Sequence, residues 1–307
     1  MNRLSFAGGI MTFGCAVVLL IPGVAAAQPA SPPARVAIIV GPSTHPPGTH
    51  EVAAGGRLMA YCLEHMNNLK NVRADIYTGW PKEPAILNDV QTIVFIGDTF
   101  PPQRLPDTKA ILGQLDGQMK RGCGIVCVHY ATGLRDEDVA RDGEHPLLHW
   151  MGGYFATKCA HHQSIAKIYP AAAIVPATPA HPVSRGWKSF TLHDEPYINN
   201  YFGSDGNKLA PHVTALATSL LPPESPRPEI VAWCVERPDS GRGFGIVMPH
   251  FYQSWSIDDL RRFILNGIVW TAKLEVPSDG VQTTLPSLTR FEPGSVDKPR
   301  DPVKSTK

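Results

Sequence analysis

The sequence predicts an α/β domain built on an open, mainly parallel sheet, and three observations predict it. Short apolar runs recur between segments of helical periodicity, those runs are apolar at nearly every position rather than alternately, and histidines stand just after several of them. Strands that are hydrophobic throughout are buried on both faces, the condition of a parallel sheet covered by helices on either side.

Arg35 to Val40 (RVAIIV) is the first run, followed by apolar positions at helical spacing from Glu51 to Met66. Val72 to Tyr77 and Thr92 to Ile96 read as the next two strands, Thr108 to Arg121 as a helix, and Gly124 to Val128 as a fourth strand. Val213 to Ala217, Ile230 to Val235 and Phe244 to Met248 supply more. The last helix opens at Ser256, taken as its N-cap, with Asp258 and Asp259 in the first turn. Leu260, Phe263, Ile264, Ile268 and Trp270 form its apolar face. No internal repeat interrupts the series. The pattern is that of a single doubly wound, flavodoxin-like domain over residues 35–275, in which ligands bind beyond the carboxyl ends of the strands.

The flanks read differently. Residues 1–27 carry Arg3, an apolar stretch through Ile21 and Ala25-Ala26-Ala27 before Gln28, the form of a secretory signal peptide. Export to the periplasm or the medium is the expectation. Residues 28–34 (QPASPPA) form a Pro-rich linker, and 276–307, rich in Pro, Ser, Thr and mixed charge, are expected to be a disordered tail. No segment after the leader approaches about 18 uninterrupted apolar residues, so no membrane span is expected.

Composition narrows the function. The 307 residues are 43% hydrophobic and 18% charged, enough for a large core. Lys plus Arg number 28 and Asp plus Glu 27, a balance that excludes an electrostatic nucleic-acid partner. Of six cysteines, Cys15 leaves with the leader, so the remaining five cannot all pair. Cys123 and Cys127 stand about 13 Å apart at strand rise, beyond disulfide reach. There is no CxxC. Twelve histidines are the conspicuous surplus, because imidazole is the usual metal ligand and near-neutral proton carrier.

Several of those histidines have a place. The loop Gly41 to His50 after the first strand is not GxGxxG, and its three prolines remove amide donors that would cradle a phosphate, so no nucleotide is expected. His45 or His50 projects from that loop as a ligand or polar contact, or both serve only loop polarity. After the fourth strand, Val128-His129-Tyr130 occupies the strand-to-helix turn where nucleophile-elbow enzymes carry Ser or Cys, and here it presents His129. Cys127 lies two residues earlier and reads as a buried strand cysteine, with a Cys127-dependent amidase or peptidase as the competing reading. Gly152-Gly153 permits close backbone approach ahead of His161-His162, of which one faces a site if the chain is extended. His193-Asp194-Glu195-Pro196-Tyr197 gathers an imidazole, two carboxylates and a phenol. His250 stands after a further apolar run, with Trp255 following. His65, His145, His149 and His212 fall where no site logic reaches them.

The order of Gly124 to Ala131, Gly152-Gly153-Tyr154-Phe155, His181-Pro182, Asp194 to Tyr197, Pro228 to Trp233, Gly241-Arg242-Gly243, His250 with Trp255, and Asn266 to Trp270 resembles the trehalose-utilisation, or ThuA-like, family. That family is a branch of the class I glutamine-amidotransferase-like superfamily. The resemblance spans residues 35 to 273. It implies a flavodoxin-like domain whose catalytic Cys at the elbow is replaced by His, and a role with trehalose or related oxidised glycosides. The expectation is therefore an exported carbohydrate-processing protein with His129, Glu195 and His250 as catalytic residues. His45, Asp194, Tyr197 and Trp255 are expected to contact substrate, and Trp187 or Trp233 to stack on a sugar. A divalent metal such as zinc is assigned to His129, His161 and His250, with His162 as the alternative to His161. A non-catalytic sugar-binding module is the competing class.

Overall fold

The computed structural model describes residues 1, 8, 9 and 32–291. Most of the expected leader and of the linker, and the stretch 292–307, lie outside the described residues. Four strands begin the sheet: β1 (Ala34–Val40), β2 (Val72–Thr78), β3 (Thr92–Ile96) and β4 (Gly124–Val128). Every residue of β3 and β4 is buried, as the apolar runs require of strands covered on both faces. They pair in parallel in the order β2, β1, β3, β4, with Ile38 opposite both Ile76 and Val94, and Val94 opposite Val126. Helices α1 (Val52–Glu64) and α2 (Thr108–Lys120) connect them. Because β1 lies between β2 and β3, chains leaving β1 and β3 diverge at the carboxyl edge, which is the switch point where flavodoxin-like sheets bind ligands.

Beyond β4 the chain makes a small parallel pair, β5 (Gly133–Arg135) with β6 (Phe155–Thr157), flanking α3 (Pro146–Met151). Gly152 ends α3 in the left-handed region (φ 87°), and a Cβ on Gly153 would sit 2.5 Å from the Phe202 ring. The paired glycines thus serve a helix stop and a tight crossing. Strands β7 (Tyr169–Pro176), β8 (Phe190–Asp194), β9 (Val213–Leu221), β10 (Arg227–Glu236) and β11 (Arg242–Ile246) then extend the sheet to nine. β11 runs parallel to β4, and β10, β9, β7 and β8 follow in antiparallel pairs. The sequence reading has no strand at β7 or β8. Pro170 explains part of this: the β7–β8 register skips between Tyr169 and Ala172, around a residue with no amide to donate.

The closing helix, α4 (Asp258–Thr271), buries Leu260, Phe263, Ile264, Ile268 and Trp270, as its spacing predicts, and carries Asp258 and Asp259 in its first turn. Its N-cap is Ile257, however, and the Ser256 hydroxyl donates to the Gln253 carbonyl instead. The expected disordered tail is ordered as far as the described residues run. Val276, Val281 and Phe291 are buried, the Asn67 amide donates to the Gln282 carbonyl, and Met66 bridges to Thr283. A few apolar residues among many polar ones suffice to strap this segment over α1, where periodicity has nothing to report. Among the described residues no helix is long and apolar enough to cross a membrane. All five described cysteines are free and buried.

Candidate functional site

Four loops at the carboxyl edge of the sheet bring together His50 (after β1), Asp98 (after β3), His129 (after β4) and His250 (after β11), and Glu195 and Tyr197 arrive from the end of β8. His129 takes the turn with a left-handed backbone, φ 51°, and His50 with φ 35°. Each conformation costs an L-residue about 1–2 kcal/mol, the kind of strain found where a side chain must be aimed. At His129 the Thr132 hydroxyl donates to the backbone carbonyl at 2.6 Å, closing the turn.

The hydrogen bonds decide which nitrogen of each ring carries a proton. His129 Nδ1 lies 3.0 Å from the Val247 carbonyl and must donate to it. His50 Nδ1 donates to Asp98 Oδ1 at 2.7 Å. Both Nε2 atoms are therefore lone pairs, and they face one another at 2.8 Å. His250 Nδ1 is 2.9 Å from His50 Nε2 and 3.3 Å from His129 Nε2. Two lone pairs at that distance repel unless a proton or a cation lies between them. Burial, with the neighbouring imidazoles adding to it, pushes His129 well below the ordinary histidine range. Burial also lowers His50 despite Asp98. A proton is thus disfavoured where a cation would be welcome. Ligand atoms 2.0–2.1 Å from a tetrahedral ion stand about 3.3 Å apart, close to the spacing observed. Glu195 Oε2 completes the group, 3.1 Å from His250 Nδ1 and 3.9 Å from His129 Nε2. The void bordered by His50, His129, Tyr130, His250 and Trp255 measures about 20 Å³, room for one water-sized body.

The surroundings hold these groups in place. Burial works to raise the Asp98 carboxyl, but hydrogen bonds from His50, the Thr44 amide and His45 outweigh it and hold it at about 2. His45 stacks on His50 with ring centroids 3.6 Å apart and shares Asp98 with it at 2.9 Å. Tyr197 lies between Phe155 (4.0 Å) and His129 (4.6 Å), with its hydroxyl oxygen 3.1 Å from His129 Nε2. Burial lifts its phenol well above the ordinary range, so it remains a proton donor.

His129, Glu195, His250 and Tyr197 are therefore brought together as the sequence anticipates. Asp194 is not a substrate contact: it is wholly buried, accepting from the His250 and Glu195 amides at 2.7 and 2.8 Å and from the Ser254 hydroxyl. It ties β8 to the loop that carries His250. His161 is not with the other imidazoles, since its Nε2 meets the Tyr154 hydroxyl at 2.8 Å and its ring packs on Tyr201. His162 Nε2 donates to the Asn199 carbonyl instead. The third imidazole is His50. Trp187 stacks on Phe263 and Trp233 donates to the Met151 carbonyl, both inside the core, so neither is a sugar platform. Trp255, 3% exposed, borders the small void but offers no open face. Cys127 is fully buried in β4 and burial drives its thiol well above the ordinary range, which removes the nucleophile a Cys enzyme needs. Asp98 is the residue that sequence reasoning misses. Its signal is positional: a carboxylate two residues past the apolar strand β3.

Comparison with known proteins agrees with this architecture. The family model described as "Trehalose utilisation" (ThuA) matches residues 59–271, which include Asp98, His129, Glu195 and His250 but begin after His45 and His50. A ThuA-like protein of Bacteroides uniformis ATCC 8492 superposes with a TM-score of 0.54 at 15% identity, covering 81% of this chain and 95% of that one. Another, from Parabacteroides merdae ATCC 43184, gives 0.50 at 16% identity over 82% and 98%. A glutamine amidotransferase of Thermotoga maritima follows at 0.39 and 10% identity, over 78% and 96%. No curated protein matches the chain.

Proposed function

The chain belongs to the trehalose-utilisation (ThuA) family, and from that premise we propose that it is an exported, metal-dependent enzyme acting on a carbohydrate. His50, His129 and His250 hold one divalent cation such as zinc, and Glu195 stands beside them as the proton acceptor. The observation that carries the reading is the convergence of lone pairs: two Nε2 atoms 2.8 Å apart, each with its Nδ1 proton committed to a fixed acceptor. The family description supports the carbohydrate, and the leader at residues 1–27 supports export.

A divalent cation held by these three imidazoles would supply Lewis-acid chemistry, the activation of water and the polarisation of a carbonyl oxygen. The chain's own groups do the rest. Glu195 Oε2 takes a proton from the attacking group. Tyr197, kept protonated by burial, donates a hydrogen bond to negative charge developing on a substrate oxygen. Asp98 and the Val247 carbonyl fix the tautomers and orientations of His50 and His129. The near-neutral charge of the chain suits an uncharged ligand.

The test is zinc stoichiometry together with turnover. The wild-type protein dialysed against zinc retains one equivalent and converts at least one member of a panel of disaccharides and oxidised glycosides. His129→Ala and His250→Ala lose both, while His161→Ala retains its zinc. Wild-type turnover in both of the first two variants overturns the reading. Sugar binding without product from the zinc-loaded protein assigns it to the binding-module class instead.

A further inference from the structure

We infer that the open cleft of about 730 Å³ beside the imidazole cluster, bordered by His193, Phe251, Tyr252, Gln253, Ser256 and Leu288, is a subsite for a second sugar ring. The site then takes a neutral disaccharide in preference to a monosaccharide or a sugar phosphate. The inference rests on the carbohydrate reading above and adds where the second ring lies and which residues select it.

Continuity with the cluster is the first ground. Tyr252 borders both this cleft and the small void among the imidazoles. The His250 ring meets Phe251 edge-on at 4.8 Å, and Phe251 meets His193 at 5.4 Å, so an unbroken series of rings leads from the cluster into the cleft. His193 lies in β8 and Glu195 directly follows the strand, so only the buried Asp194 separates them. A ring lying on Phe251 and His193 is thus a neighbour of one whose reacting atom is at Glu195.

The chemistry of the walls is the second ground. The lining contains no Asp, Glu, Lys or Arg, so nothing there would recognise a phosphate or a carboxylate. It does offer the half-exposed face of Phe251 and the exposed ring of His193, which match the C–H faces of a pyranose, and the exposed Gln253 amide and Ser256 hydroxyl, which match its hydroxyls. The wall is held rather than loose, since the Tyr252 hydroxyl donates to the Leu288 carbonyl at 2.9 Å. The volume falls within the range of about 300–1,000 Å³ typical of small-molecule sites.

The experiment measures binding of trehalose, maltose, cellobiose and sucrose against glucose and glucose 6-phosphate by titration calorimetry on the zinc-treated protein. At least one disaccharide is expected to bind about tenfold more tightly than glucose, the scale of one aromatic stacking contact with its hydrogen bonds. Phe251→Ala and Gln253→Ala each shrink that ratio while leaving zinc affinity at the wild-type value. Gln253 is exposed, so its variant folds even if Phe251→Ala does not. Glucose or glucose 6-phosphate binding as tightly as every disaccharide overturns the inference, as does a preference that survives both substitutions. A protein that retains no zinc yet keeps a Gln253-dependent preference sinks the metal reading and leaves the subsite standing. Retained zinc without the preference does the reverse.

Discussion

Replacing Asp98 by asparagine changes one atom and removes one charge, and the hydrogen bonds around the carboxylate set the cost. The wild-type group accepts three of them: His50 Nδ1 on Oδ1, and both the Thr44 amide (2.8 Å) and His45 Nδ1 (2.9 Å) on Oδ2. An asparagine has one accepting atom. If that atom serves His50, the new NH₂ faces two donors; if it serves those donors, the His50 proton is left unmet and the ring turns. The carboxyl's pKa of about 2 against an ordinary 3.8 corresponds to a net interaction with the anion on the order of 2 kcal/mol. Removing a carboxylate that orients a metal-bound imidazole typically costs about 10–100-fold in metal affinity, about 1.4–2.7 kcal/mol, so the two routes agree. The zinc dissociation constant of Asp98→Asn is accordingly expected to rise about 10–100-fold in competition with a chromophoric chelator. The stabilisation conferred by zinc in scanning calorimetry should shrink by about 3–10 °C at fixed zinc. A dissociation constant within twofold of wild type, in a variant that melts normally without zinc, refutes the argument that Asp98 acts through His50.

Three other outcomes are expected from the packing. Burial depresses the His145 imidazole to about 4 from an ordinary 6.5, and its Nδ1 accepts from the Leu147 amide at the start of α3. Its contribution to stability is complete above pH 6.5 and falls by about 3 kcal/mol as pH drops toward 4, because the unfolded chain takes up the proton first. His145→Asn keeps an N-cap acceptor without the titration, so wild type minus variant should narrow over that window in urea unfolding; a constant difference is the contrary result. Phe291→Ala should cost about 3 kcal/mol, since the ring is buried near Tyr61, whereas a loose tail would lose nothing measurable. Cys127→Ser should lower stability by about 1–3 kcal/mol through a buried hydroxyl while activity per folded molecule stays constant, and lost turnover in folded protein would restore the thiol to the mechanism.

Short-range pattern accounts for the part of the molecule that is legible in its sequence. β3 and β4 are where continuous apolar runs put them, and α4 buries the face its spacing marks. His129 is legible because a histidine stands where an elbow presents a side chain. The choice between His45 and His50 is not, since it depends on a left-handed residue and a carboxylate 48 positions away. The same limit separates Asp194 from Glu195: adjacent carboxylates look alike until one is seen gripping two amides and a hydroxyl while the other meets an imidazole. His161 is misjudged because nearness to a glycine pair in the chain is not nearness to the sheet edge. The tryptophans expected as sugar platforms are core for the ordinary reason that large rings bury the most area.

The left-handed turn at His129 inverts a familiar ranking of substitutions. At most positions alanine is the safer truncation, because glycine loosens the unfolded chain. Here any residue with a Cβ inherits the tension of the bend, and glycine alone is released from it by about 1–2 kcal/mol. His129→Gly should therefore outlast His129→Ala on heating, although both lack the imidazole. The most comfortable occupant of the turn is one that can do nothing there, so the imidazole is present against the preference of the backbone, and the rest of the molecule carries that tension to keep it.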